Sequence, residues 1–200
     1  MKFSFVLGFG LMIISNLSFA FLPNQFRVNF VQKFESAVTG KTKQSKGIIE
    51  YQYPGKIHFK SEDPDPLTYM SNNKKSWYYT PPFIEGEKGG VRIIEKNSTL
   101  TSFFDTLKKG IKSNDFYKVK RKGSRYDLIF STEKSKELGV QAASLFSKYL
   151  ELRKFDHIQK IYLTYNSGKK VNLIFTDYSK PSFKKKHFYF KIPSNTRVIN

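Results

Sequence analysis

The chain has 200 residues, of which 39% are hydrophobic and 16% aromatic, and this is enough apolar material for one domain with a sizeable core. Its 35 Lys and Arg outnumber 16 Asp and Glu, and the resulting net charge of +19 favours anionic partners. There is no cysteine, which excludes disulfides, thiolate metal sites and cysteine nucleophiles.

The first twenty residues have the three parts of a secretory signal peptide. Lys2 supplies a positive charge, an apolar stretch reaches Ile14, and Ser18-Phe19-Ala20 is a small-x-small cleavage signal. We predict cleavage after Ala20, which leaves 21–200 as a single domain. A retained anchor is less favoured, because the apolar stretch is shorter than the roughly 20 residues that cross a bilayer. We therefore expect an exported, soluble protein of the periplasm that binds no nucleic acid.

Alternating apolar and polar residues predict short strands along most of the mature chain. In the first, 26–34, the side chains of Phe26, Val28 and Phe30 lie on or near one face. Clusters of Pro, Gly and Asn separate the segments as turns. The other predicted strands are 46–53, 56–60, 67–71, 75–79, 116–122, 126–131, 158–165, 170–177 and 186–191. Roughly ten short strands predict a strongly curved antiparallel sheet or a partly closed barrel. The segment 85–90 is interpreted as a flexible charged loop.

Two segments predict helices. Asn97-Ser98-Thr99 is a suitable N-terminal cap for a helix that ends at Gly110, with Leu100, Phe103, Phe104 and Leu107 on one face. The second predicted helix covers 136–155, with an amphipathic stripe formed by Leu138, Ala142, Leu145, Tyr149 and Leu152. We expect both apolar faces to pack on the concave side of the sheet.

The histidines and acidic residues form no recognisable catalytic or metal-binding motif. His58, His157 and His187 are far apart and lack the short spacing of metal-binding helices, so solvated or structurally bonded histidines are the favoured interpretation. Asp63 and Asp65 are bracketed by prolines and indicate a turn. A pair of catalytic acids from distant positions stays open. The sequence predicts no enzyme activity, no cofactor and no metal site.

Five short motifs, in this order, together resemble one family. They are Phe26-x-x-x-Phe30-x-Gln32, a strand with Gly47, Pro54-x-x-Ile57-x-Phe59, Trp77-Tyr78-Tyr79-x-Pro81 and Phe188-x-Phe190-x-x-Pro193. The family is the periplasmic outer-membrane lipoprotein carriers, LolA. The resemblance implies an α+β, mainly β fold, in which an incomplete antiparallel barrel with a helical lid encloses an apolar cavity.

The same resemblance implies a function and partners. A monomeric, non-enzymatic carrier would take the acyl chains of lipoproteins from an inner-membrane lipoprotein-releasing transporter and pass them to an outer-membrane lipoprotein acceptor. Large apolar side chains suit such a cavity, since burial of each CH₂ is worth about 0.8 kcal/mol. The residues expected to line it are Ile57, Phe59, Tyr69, Trp77, Tyr79, Leu100, Phe103, Phe104, Leu107, Phe188 and Phe190. Each could equally belong to a plain core.

The chain departs from the family at the lid. Tyr53 stands where the family has an arginine that bonds the closed lid, and the family's N-terminal helix has no counterpart before Phe26. We hypothesise that the predicted helix 136–155 packs in its place, with Leu145 and Tyr149 as lid residues.

Basic clusters allow a second interpretation. Solvated charged faces are the default for such clusters, and docking on an acidic partner or an anionic membrane is the functional alternative. The alternative to the carrier is an exported basic module with a closed interior that recognises anionic phospholipid or acidic polysaccharide. The predicted docking residues are Lys118, Lys120, Arg121, Lys122, Lys184, Lys185 and Lys186.

Overall fold

A computed structural model of the chain describes residues 21–35, 40–62, 64–95 and 99–199. The predicted signal peptide, Asp63 and the capping residues Asn97 and Ser98 lie outside these residues. In the described part, no helix is both long and apolar enough to cross a membrane.

One sheet dominates the described structure. Its strands are β1 (Gln25–Glu35), β2 (Thr42–Gln52), β3 (Lys56–Ser61), β4 (Leu67–Asn72), β5 (Ser76–Thr80), β6 (Gly89–Ile94), β7 (Tyr117–Lys122), β8 (Arg125–Phe130), β9 (Val140–Ser147), β10 (Ile158–Tyr165), β11 (Lys170–Ser179) and β12 (Thr196–Ile199). The helices are α1 (Thr99–Leu107) and α2 (Thr132–Leu138), and a 3₁₀ turn covers Phe155–His157.

The strand order is β12-β6-β5-β4-β3-β2-β1-β11-β10-β9-β8-β7. Neighbouring strands are antiparallel, apart from β12, which runs parallel to β6. Because β12 and β7 lie at opposite ends of this order, the curved sheet stays open. The predicted fold class, a mainly β incomplete barrel with helices, is confirmed.

The sheet has two faces that differ in what covers them. The face that carries α1 and the main core is called the inner face, and the opposite one the outer face. Alternation in β1 explains the division, because Phe26, Val28 and Phe30 are fully buried in the main core while Arg27 is exposed. On the inner face Phe26 contacts Tyr51 of β2 at 5.2 Å between ring centroids.

A segment without strand pairing crosses the outer face. We call residues 180–195 the strap. Phe188 within it is 2% exposed, and the ring of Phe190 lies 5.3 Å from that of Tyr79 on β5. The prediction of a strand at 186–191 is therefore wrong: turn hydrogen bonds, such as that from the His187 amide to the Lys184 carbonyl at 2.9 Å, replace a ladder.

The predicted helix 136–155 is also wrong. Its first residues belong to α2, which Ser131 caps, and Gly139 at φ 63° ends that helix in the left-handed conformation. The chain then continues as β9, which pairs with β8 and β10. The apolar stripe suggested a helix because β9 has buried side chains on both faces. Together with apolar residues of the following loop, these side chains happen to repeat at helical spacing.

The strands β6 and β12 were missed. Gly89 and Gly90, which suggested a flexible loop, are strand residues whose lack of a side chain lets neighbours approach closely. A Cβ on Gly90 would lie 2.6 Å from Ile199 of β12, and one on Gly89 would lie 2.9 Å from the Tyr79 ring. Glycine in a strand thus marks close packing here rather than flexibility.

Candidate functional site

A cavity of about 250 Å³ lies between the inner face of the sheet and the start of α1. Most of its exposed wall is apolar, and its polar side chains are three tyrosines, one glutamine and one threonine. Such a composition suits a hydrophobic ligand rather than a charged one. The lining residues are Gln32, Phe59, Leu67, Tyr69, Tyr78, Thr99, Leu100, Leu163, Tyr165, Val171 and Leu173.

One wall of the cavity is a row of aromatic rings set by strand register. Phe59 of β3 pairs with Tyr69 of β4, which pairs with Tyr78 of β5, so the three side chains share the inner face. The rings of Tyr69 and Tyr78 are 4.5 Å apart, and Phe59 stacks on Phe30 at 4.9 Å. Cross-strand contacts of this kind hold the wall in one geometry.

Helix α1 covers the cavity. Leu100 lines it, whereas Phe103, Phe104 and Leu107 are fully buried in the core beside it. Phe104 contacts Phe26 edge-on at 5.3 Å. The helix is therefore a lid whose first turn faces the cavity and whose later turns are anchored in the core.

A partly buried hydrogen bond ties α1 to the sheet. The Tyr51 hydroxyl of β2 donates to Asp105 Oδ1 at 2.5 Å, and the Gly55 amide donates to the same oxygen at 3.2 Å. Burial, together with the hydrogen bond to Asp105, raises the pKa of Tyr51 well above its ordinary value. The hydroxyl thus keeps its proton and stays a donor.

The end of α1 is held by Lys108. Its Nζ donates to the Leu22 carbonyl at 2.7 Å and to Asn24 Oδ1 at 2.9 Å, and lies 5.2 Å above the ring of Tyr53. Burial lowers the pKa of Lys108, against the nearby charge of Asp105. Tyr53 thus contacts through its ring the cation that directly follows α1.

The structure divides the residues predicted to line the cavity into three groups. Phe59, Tyr69 and Leu100 line it. Ile57, Phe103, Phe104 and Leu107 are buried in the inner core around it. The outer face holds the other four, Trp77, Tyr79, Phe188 and Phe190. Trp77 packs there with Met70 and Val91, and Tyr79 and the strap residue Phe190 pack against these three.

The third group was expected to line the cavity, but the structure places it on the opposite face of the sheet. Alternation along β5 shows that Trp77 and Tyr79 share a face and that Tyr78 lies on the other, but it does not show which face is the inner one. The structure puts Tyr78 in the cavity. The same ambiguity concealed the opposite wall, formed by Leu163, Val171 and Leu173 of β10 and β11.

The two predicted lid residues beyond Tyr53 are not on a lid helix. Leu145 is fully buried in β9, on the inner face between Tyr126 and Ile161. Tyr149 is 53% exposed in the following turn, where its ring contacts His157 at 4.7 Å. The hypothesis that the segment 136–155 replaces a missing lid helix is therefore wrong. The 3₁₀ residue Phe155 instead packs against Phe26 at 4.4 Å.

The predicted basic docking residues form two separate groups. Lys118, Lys120 and Lys122 are exposed on one side of the edge strand β7, whereas Arg121 points to the other side and donates to the Gly123 and Leu150 carbonyls. The second group, Lys184, Lys185 and Lys186, is exposed on the strap. The strap contacts β2 next to these lysines, through His187 and Glu50. Five strands separate β2 from β7, so the two groups do not make one continuous patch.

Two of the histidines, His58 and His187, meet on the outer face, where both are hydrogen-bonded to one carboxylate. Glu50 of β2 has a side chain that is only 6% exposed. Its Oε2 lies 2.9 Å from His58 Nδ1 of β3 and 2.9 Å from His187 Nε2 of the strap. Burial alone would raise the pKa of Glu50, but the two histidines hold this pKa below its ordinary value. No local spacing in the sequence could reveal this contact.

Comparison with known proteins gives partial sequence relatives. The chain is 29% identical over 110 residues to the outer-membrane lipoprotein carrier protein of Proteus mirabilis, covering 55% of this chain and 53% of that one. It is 27% identical over 105 residues to the protein of the same name from Pectobacterium carotovorum, covering 52% and 50%. The chain thus spans about half the length of these curated relatives.

A solved structure of similar extent is that of a LolA superfamily protein from Nitrosomonas europaea. It has 8% sequence identity, a TM-score of 0.48, and coverage of 84% of this chain and 90% of that one. The family model described as outer membrane lipoprotein carrier protein LolA matches residues 23–191. That match covers nearly all of the described domain, so the chain belongs to the LolA family of outer membrane lipoprotein carriers.

Proposed function

We propose that this chain is a periplasmic carrier that holds the acyl chains of lipoproteins in the inner-face cavity and moves them between the two membranes. The single observation that carries the proposal is the apolar cavity beneath α1, with its wall formed by Phe59, Tyr69 and Tyr78. Family membership supports lipoproteins as the cargo. The chain acts by binding and release, without catalysis.

The size of the cavity bears on how cargo enters. About 250 Å³ is below the roughly 300–1,000 Å³ of typical small-molecule pockets. Several acyl chains need more room, so cargo binding requires α1 to move away from the wall. Leu100 at the start of the helix is the residue that moves first, because the later turns are anchored by Phe104 and Leu107.

The contacts of α1 define the closed state of this carrier. The bonds from Tyr51 to Asp105 and from Lys108 to Leu22 favour closure without cargo. Apolar burial of acyl chains opposes it, and an acceptor that binds the chains better drives release. In this proposal an inner-membrane lipoprotein-releasing transporter supplies the cargo and an outer-membrane lipoprotein acceptor receives it.

Native mass spectrometry with a detergent-solubilised triacylated lipoprotein tests the proposal. Tyr78→Glu places a charge in the cavity wall and should abolish the complex that the unchanged protein forms, because the charge cannot be solvated beside acyl chains. Phe59→Glu should do the same. Circular dichroism checks that each variant is folded.

The matched control is Tyr79→Glu. Tyr79 is the next residue on β5, is half-buried like Tyr78, and lies on the outer face. This variant should keep the complex. Equal loss in Tyr78→Glu and Tyr79→Glu, or no complex with the unchanged protein, would contradict binding in the cavity.

The basic module with a closed interior is the second candidate, and the exposed lysines of β7 favour it. The same experiment separates the two functions. Retention of free fatty acid or lipoprotein that is sensitive to Tyr78→Glu supports the carrier. Binding of anionic phospholipid that is insensitive to Tyr78→Glu supports the surface module.

A further inference from the structure

Three potential metal ligands converge on the outer face, away from the cavity. The donor atoms of Glu50, His58 and His187 all lie within 4.8 Å of one another. Glu50 and His58 are register partners on β2 and β3, and His187 reaches them from the strap. The site thus joins segments that are about 130 residues apart in the chain, which is a structural arrangement rather than a local motif.

We propose that Glu50, His58 and His187 bind one divalent transition-metal ion, with Zn²⁺ as the best match. Two imidazole nitrogens and one carboxylate oxygen are ligands that Zn²⁺ accepts. Ca²⁺ and Mg²⁺ prefer sites built from oxygen atoms alone. The proposal is independent of lipid carriage, because none of the three residues lines the cavity.

The spacing of the donors fits such an ion after a small adjustment. Zinc bonds of about 2.0–2.1 Å in a tetrahedron place neighbouring donors about 3.3 Å apart. His58 Nδ1 and His187 Nε2 each lie 2.9 Å from Glu50 Oε2, so each of these two pairs needs an outward shift of tenths of an ångström. The two imidazole nitrogens lie within 4.8 Å of each other, close enough for one ion to bridge them. The side chains of His58 and His187 are 18% and 33% exposed, so solvent reaches both imidazoles.

The same exposure leaves room for a fourth ligand. Three protein ligands leave one tetrahedral position, which water can occupy from the solvent side. Glu50 is a residue of β2, and its second carboxylate oxygen, Oε1, lies 3.5 Å from Nη1 of Arg27. The carboxylate is therefore oriented with Oε2 towards both imidazoles.

The positive charge of Arg27 opposes the binding of a cation here. Its charge acts on Oε1, and its side chain is 47% exposed, so solvent screens it. Removal of this charge should strengthen metal binding. Arg27→Gln is thus a variant for which a metal site predicts a gain, whereas a cluster held by hydrogen bonds alone predicts no metal binding at all.

Bound metal would fasten the strap to the sheet. The strap is otherwise held over the outer face by Phe188 and Phe190 and by a hydrogen bond from the Phe183 amide to Gln25 of β1 at 3.1 Å. A link through His187 would restrict the exposed residues Lys184 to Lys186 beside it. Trypsin cleavage there should therefore slow when the ion is bound.

Isothermal titration of the purified, EDTA-treated protein with Zn²⁺, without a histidine tag, tests the site. We expect one ion per chain. His187→Ala should weaken the affinity beyond the ~10–100-fold cost of losing an outer-shell partner. His157→Ala is the matched control, since His157 is the remaining histidine and contacts Tyr149 instead.

A second ligand variant guards against misfolding of the first. His58→Gln should weaken Zn²⁺ binding to a similar degree, and Arg27→Gln should strengthen it severalfold. Loss of Zn²⁺ protection from trypsin should accompany His187→Ala. The proposal is overturned if the unchanged protein takes up no ion, or if His157→Ala weakens binding as much as His187→Ala and His58→Gln do.

Discussion

Buried and half-buried polar groups at the edge of the apolar core hold α1 against the rest of the chain. Tyr51, Asp105 and Lys108 each have a partner across the boundary between α1 and the rest of the chain. A buried hydrogen bond to a charged group contributes about 1.5–3 kcal/mol, more than a neutral one. The position of α1 therefore depends on a few such bonds as well as on the packing of Phe103 and Phe104.

Tyr51→Phe tests the contribution of the hydrogen bond from Tyr51 to Asp105 by removing a single oxygen atom. The change removes the hydroxyl that donates to Asp105 and leaves the ring in place. We expect the free energy of unfolding to fall by about 1.5–3 kcal/mol, because the Asp105 carboxylate loses its hydroxyl donor and, within the described residues, keeps the Gly55 amide. Urea unfolding followed by circular dichroism measures it.

Tyr53→Phe is the corresponding control. Tyr53 is 44% exposed and contacts Lys108 with its ring, which phenylalanine retains. Its effect should stay within about 0.5 kcal/mol. Equal effects of the two substitutions would show that the bond from Tyr51 to Asp105 does not hold the lid.

At the scale of elements, close contact between strands shapes the inner wall. Gly47 of β2 lies opposite Phe30 of β1 and Ser61 of β3. A Cβ there would lie 1.9 Å from the backbone oxygen of Lys60 and 2.8 Å from Phe30 Cζ. Glycine at this position lets Phe30 reach across β2 and stack on Phe59.

Gly47→Ala should therefore destabilise the protein by about 1–3 kcal/mol, the usual cost of overpacking. The obstructing atom is backbone, which cannot rotate away. Differential scanning calorimetry would measure this as a lower Tm. Cargo binding should weaken as well, because Phe30 stacks on Phe59, which lines the cavity.

Gly90→Ala provides the comparison within another strand. Its added Cβ would meet only the end of the flexible Ile199 side chain. We expect a change within about 0.5 kcal/mol. A destabilisation by Gly90→Ala as large as that by Gly47→Ala would refute the argument from backbone contact.

For the whole molecule, charge is the dominant property. A net charge of +19 attracts anionic surfaces, and the range of that attraction is about 8 Å at physiological salt. Lys118, Lys120 and Lys122 are placed to act together, because they share one exposed side of the edge strand β7. The same charges discourage pairing of this edge with another chain.

Vesicles that contain anionic phospholipid test this surface. Replacing Lys118, Lys120 and Lys122 by Gln should weaken binding roughly a hundredfold, since each Lys near an anionic surface contributes about 1 kcal/mol. Vesicle co-sedimentation at increasing NaCl concentration measures it, and binding of the unchanged protein should decline with salt.

The equivalent triple substitution of Lys184, Lys185 and Lys186 is the charge-matched control. It removes the same net charge from the strap rather than from β7. We expect a smaller loss of binding. Equal losses would mean that net charge alone, and not the side of β7, attracts the vesicle.

The sequence alone determined the class of fold and the family, because alternation, turn residues and the order of five motifs are local properties. It also determined α1, where Leu100, Phe103, Phe104 and Leu107 repeat at helical spacing. Alternation in β5 showed that Trp77 and Tyr79 lie on one face and Tyr78 on the other. It could not show which face is the inner one, because that depends on the side of the sheet on which α1 and the main core pack.

Only the tertiary structure decided which side chains line the cavity and which residues hold the lid. Tyr78 enters the cavity because β5 pairs in register with β4, and Asp105 meets Tyr51 because α1 returns to the inner face. Glu50, His58 and His187 meet because the strap crosses the outer face. Such contacts join distant parts of the chain, and no local pattern encodes them.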